Sequence, residues 1–153
     1  MITLGRLSMI IVAAAACGCA SAPEVRSGSG DILNVRLTAG PQNAGQIGEA
    51  SFVAQGDATN IVLTLSGVPN RVTRPVHLYT YIHEGTCGNL SPKPAYSLNE
   101  VVLARVTSPT GPGFTLDKRA PVALQKLRSG GYAITVRTQA PDPDQEMFCG
   151  NIK

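Results

Sequence analysis

Three observations predict an all-β domain of short strands joined by turns. Gly (16) and Pro (11) are abundant, whereas only 15% of residues are charged and 5% aromatic, with no Trp; this composition suits strands and turns better than a helical bundle. Residues 75–83 and 132–137 alternate with a period of two, the signature of strands with one face on a core. Turn formers recur at short intervals, as in Gly40-Pro-Gln-Asn-Ala-Gly45, Gly67 to Pro69 and Gly130-Gly131, and divide the chain into strand-sized pieces.

Along the chain, residues 32–38 and 47–54 read as a first hairpin and 61–65 as a buried strand. In 75–83, Val76, Leu78, Thr80 and Ile82 share the core face, and His77, Tyr79, Tyr81 and His83 the opposite one. A loop over 84–94 carries Cys87, and 98–106 reads equally as strand or short helix. Residues 114–117 form a strand and 122–127 one helical turn or an apolar plug. In 132–137, Tyr132, Ile134 and Val136 point inward, and Ala133, Thr135 and Arg137 outward; Pro141-Asp-Pro-Asp144 then loops back to Cys149. No repeat of 20 to 50 residues occurs.

The 153 residues hold one domain of about 120 to 130 residues behind a targeting segment. Arg6 precedes the apolar run Met9 to Ala16, which is too short to span a bilayer and has the shape of a signal-peptide core. Cys17 and Cys19 follow in Ala-Ala-Ala-Cys-Gly-Cys-Ala-Ser, similar to a bacterial lipoprotein box, although alanine stands where leucine is usual. Cys19 and Cys17 are the lipidation candidates, with cleavage near Ala20-Ser21-Ala22 the alternative. The division expected is a leader over 1–19, a flexible linker over 20–30 containing Ser27-Gly-Ser-Gly30, and a β domain over 31–153. Export places the protein in the periplasm or at the outer membrane.

Cys87 and Cys149 remain, an even pair in a chain bound for an oxidising compartment, so a disulfide is the first reading. Two thiolate metal ligands are the rival reading, a weak one without a Cys-x-x-Cys or nearby His partner. The formal charge of +3 provides no footprint for nucleic acid. Lys118, Arg119, Lys126 and Arg128 read as solvated edges of a core segment. No Gly-x-Ser-x-Gly elbow, phosphate loop or free thiol outside the leader points to hydrolytic or nucleophilic chemistry.

Four stretches, residues 61–67, Tyr81-Ile-His-Glu-Gly-Thr-Cys87, Gly130-Gly-Tyr-Ala-Ile-Thr-Val-Arg137 and Cys149-Gly-Asn-Ile152, occur in an order that resembles copper-zinc superoxide dismutases, especially the small exported proteins of bacteria. Chordin-type domains are the nearest competitor. The resemblance implies a Greek-key β-sandwich or barrel with one disulfide, Cys87 to Cys149, and at most one or two short helical turns. It also implies a metal centre whose ligands are largely missing. The family's first paired histidine falls on Tyr81, the second on His83, and the late-strand histidine on Arg137. No histidine lies in 84–100 to match the zinc loop, and the guiding arginine falls on Glu146.

The shortage also follows from the residues alone. The chain has two histidines, His77 and His83, whereas a redox copper centre uses three or four imidazoles. Six positions apart on a strand they stand about 20 Å from each other, too far to share an ion. His83 is therefore only a weak metal candidate, read first as an exposed strand histidine in a hydrogen-bonded network. Tyr81, His83 and Arg137 form the candidate site at the lost copper position, with the Arg137 guanidinium expected near Tyr81 or His83. His77 and Tyr79 extend that face. A calcium set from Glu84, Asp142, Asp144 and Glu146 is too sparse to predict.

These observations lead to the expectation of a non-catalytic, dismutase-like envelope module, structural or interacting, with no cofactor, no nucleic-acid partner and an unknown protein or envelope partner. The alternatives are weak copper handling through His83, a neighbouring Met147 or a second subunit, and residual superoxide dismutase activity.

Overall fold

A computed structural model describes residues 31–107, 113–138 and 146–153; the proposed leader, the linker, Asp142 and Asp144 lie outside them. The described residues form ten strands: β1 (Ile32–Ala39), β2 (Gly48–Gln55), β3 (Ala58–Leu65), β4 (Tyr79–Thr86), β5 (Asn89–Leu90), β6 (Tyr96–Ser97), β7 (Arg105–Val106), β8 (Phe114–Ala120), β9 (Tyr132–Arg137) and β10 (Glu146–Ile152). One helical turn, α1 (Leu124–Ser129), and a 3-10 turn at Pro41–Asn43 complete it.

The strands run β5-β4-β9-β10-β1-β2-β3-β8-β7, with β6 also on β4. β1 pairs with β2 over residues 32–37 and with β10 at Thr38 and Ala39, so it turns the corner between two sheets that face each other across the core. The chain crosses from β3 to β4 and from β8 to β9, leaving β8 beside β3 and β9 beside β4. This is the Greek-key pattern of an all-β sandwich closing toward a barrel. The first hairpin, the buried third strand and the strand at residues 132–137 lie where the sequence places them, and β10 is a strand the sequence reading did not place.

The segment 96–106 is extended throughout and closes the open side. It leaves β4 at Ser97, opposite Tyr81, and continues through Leu78 N–H to Val102 O (2.7 Å), the His77–Leu103 bridge and Ala104 N–H to Val76 O (2.9 Å). It joins β8 at Arg105, opposite Thr115. The helical option for this stretch is thereby removed: both sheets present unpaired edges there, and an extended chain satisfies them.

The core follows the period-two pattern. Val76, Leu78, Thr80 and Ile82 are all buried, as are Phe52, Phe114 and Phe148 from three other strands. Lys118 corrects the reading of a solvated edge. It alternates with Leu116 and Ala120 on the inward face of β8 and is 5% exposed. Its Nζ donates to Leu78 O (3.1 Å) and Val101 O, bridging β8 to the closing segment. Ordered carbonyls make a buried ammonium tolerable without a carboxylate partner.

Burial pushes the Lys118 amine down to about 8 from 10.5. Between those values the unfolded chain binds more protons than the folded one, so folding stability rises with pH there and gains nothing further below 8. Urea midpoints are expected to climb from pH 8 to 10, and the climb is expected to vanish in Lys118→Met. Equal slopes in the two proteins would contradict the assignment.

Candidate functional site

The outer face of β4 and β9 is built by register. Tyr79 stands opposite Arg137, Tyr81 opposite Thr135 and His83 opposite Ala133. Thr135 in turn opposes Cys149 on β10, and antiparallel partners share a face. The disulfide to Cys87 (Cα–Cα 5.9 Å) therefore sits on this outer face and draws the chain after β4 across it. Cys87 N–H donates to Asn151 Oδ1 (2.8 Å) and Ser91 N–H to Glu84 O (2.9 Å), while the 84–94 stretch folds back as the short β4–β5 hairpin.

That cover corrects two expectations. Arg137 lies on the predicted face but is only 8% exposed, and all six residues of β9 are buried. His83, expected to be exposed, is 4% exposed. Its Nδ1 lies 2.9 Å from Ser91 O, so the carbonyl accepts a hydrogen from Nδ1. Among the described residues Nε2 is buried without a partner, as are Arg137 Nε and Thr135 Oγ1.

Tyr81 joins the two ends of the site. The Arg137 guanidinium carbon lies 5.7 Å from the centre of its ring, within cation–π range. The His83 ring lies 6.2 Å away on the other side, tilted by 59°. Tyr81, His83 and Arg137, named together from the sequence, are thus in one cluster. His77 is exposed and bonded into the closing segment, and Tyr79 is half-buried opposite Arg137; neither lines the pocket beside the cluster.

That pocket, about 450 Å³, is lined by Tyr81, His83, Leu90, Ser91, Pro92, Pro94, Arg137 and Glu146. The loop members escaped the sequence reading. The signal was present in Cys87: a cysteine bridged to the outer face must carry its following residues over that face, and Pro92 and Pro94 restrict the backbone there. Glu146 opposes Arg137 across β9 and β10. Its carboxyl is pushed up by burial and pulled back in part by Arg137.

The residues present do not fit a redox copper centre. His83 is the one imidazole lining the pocket, and Arg137 lines it too, where its charge repels a cation. Met147 is buried and lines a separate cleft with Gln42, Pro69, Arg71 and Thr138, so it is no co-ligand for His83. Among the described residues no three His, Cys, Asp or Glu side chains converge. Glu84 and Glu146 oppose the two ends of β9, too far apart to share a calcium ion.

No protein-family model, curated protein or solved structure matches this chain. No helix among the described residues is long and apolar enough to cross a membrane.

Proposed function

We propose that the protein is an exported, dismutase-like module of the cell envelope that recognises a partner through the covered face of β4 and β9 and performs no redox chemistry. The observation carrying this reading is Arg137. Its guanidinium lies over Tyr81, and these two residues stand where the resemblance places copper-binding imidazoles. A fixed cation at that place supplies the positive charge of an ion without its electron transfer. The leader motif supports a periplasmic or outer-membrane location with a lipid anchor at Cys19 or Cys17, and the near-neutral charge balance supports a protein or envelope partner over nucleic acid.

The free His83 Nε2 favours a second reading, weak copper handling. One experiment addresses both. Protein incubated with copper and freed of excess metal is expected to dismutate superoxide no faster than the same amount of free copper. Histidine NMR signals that shift at micromolar copper in the wild type and not in His83→Ala would move the reading to handling. Dismutation well above free copper would remove the non-catalytic reading altogether.

A further inference from the structure

The pocket beside Tyr81 carries both signs of charge, Arg137 and Glu146, which act on each other electrostatically but form no ion pair among the described residues. Arg137 is 8% exposed; its Nε is buried without a hydrogen-bond partner among the described residues, and its guanidinium lies over the ring of Tyr81. A buried charge left in that state is strongly unfavourable and calls for a counter-ion. Glu146 is opposite it in register but forms no ion pair with it; the ion pair among the described residues is Arg105 with Asp117, on an exposed face. His83 lines the same pocket, and its Nε2 is buried without a partner among the described residues. The remaining wall, Leu90, Pro92, Pro94 and the ring of Tyr81, is apolar.

A cation and an anion beside an apolar hollow are complementary to a molecule that holds an anion, a cation and an apolar group close together. We infer that the pocket binds a free α-amino acid with an apolar side chain. The ligand carboxylate pairs with the Arg137 guanidinium through charge-assisted hydrogen bonds. The ammonium donates to the Glu146 carboxylate. The side chain lies against Leu90, Pro92, Pro94 and Tyr81. A simple carboxylate would satisfy Arg137 but meet Glu146 with the wrong sign, and a simple amine would leave Arg137 unpaired. The upward push that burial exerts on the Glu146 carboxyl agrees with an acid awaiting a cationic partner. At about 450 Å³, the pocket is in the range that holds small organic ligands.

This inference rests on reading the face as a recognition surface. Its test is a titration of the purified protein with L-phenylalanine, 3-phenylpropionate and phenethylamine, followed by calorimetry and by the NMR signals of Arg137 Nε and the His83 ring. L-phenylalanine is expected to bind saturably and to shift both signals, with the acid and the amine weaker by about tenfold or more, as each loses one charge-assisted contact. Glu146→Gln, a half-exposed isosteric change, is expected to lose the preference over phenylpropionate, and Arg137→Gln the preference over phenethylamine. No saturable binding, equal binding of all three probes, or preferences unchanged in Glu146→Gln would overturn it. Dismutation by the copper-treated protein would sink the recognition reading instead, so the two failures are separately visible.

Discussion

Removing the disulfide through the double substitution Cys87→Ser and Cys149→Ser is expected to cost about 4 kcal/mol of folding stability. The bridge closes a loop of sequence separation 62, and the loop-entropy relation gives that magnitude for a crosslink of such span. For a single small domain this is a large share of the total, typically about 5 to 15 kcal/mol. The loss should also be local in its consequences. Cys87 anchors the loop that covers His83 and Arg137, and without the bridge the cover is held by a few hydrogen bonds, among them His83 Nδ1 with Ser91 O. Urea denaturation gives the stability change, and the modification rate of His83 by diethylpyrocarbonate reports the cover. A stability loss below about 1 kcal/mol, with His83 still protected, would show that the loop is held by its own packing.

Gly85→Ala is expected to be the most damaging single methyl addition at the site, at about 3 kcal/mol. Gly85 has φ +103°, a backbone region that side chains resist, and a Cβ there would meet Asn89 O at 2.3 Å. The obstacle is backbone of the facing strand, so no rotamer change relieves it. The β4–β5 hairpin must open, carrying Cys87 and the loop over the pocket with it. Gly88 has a similar φ, +94°, but open space around its Cβ position, so Gly88→Ala should lose only the conformational part, roughly 1 to 2 kcal/mol. Denaturation midpoints of the two variants compare these terms directly. Equal losses would mean that the clash with Asn89 is relieved elsewhere.

Much of the fold was legible because it rests on local period and on counting. The alternation of Val76, Leu78, Thr80 and Ile82 identified a core face, and all four side chains are buried. Cys87 and Cys149 are bridged as a pair. Tyr81, His83 and Arg137 lie close together: two are on one strand, and the pairing of β4 with β9 brings the third beside them. Their exposure was misjudged. A period-two pattern shows which side of a strand a residue occupies, and says nothing of what is later laid over that side. Lys118 was misread for a related reason: a charge among apolar residues reads as a solvated edge until the carbonyls of Leu78 and Val101, distant in sequence, are seen to receive it.

The amino-acid sequence alone determined the all-β class, the cysteine pair and a shortage of imidazole that argues against a redox copper centre, since these depend on residue type and spacing along the chain. Only the tertiary structure decided that the loop after Cys87 roofs the outer face, that 96–106 closes the barrel and that Arg137, Glu146 and His83 surround one pocket. Those facts arise from contacts between residues far apart in the chain, where backbone edges and buried charges find partners that no local pattern encodes.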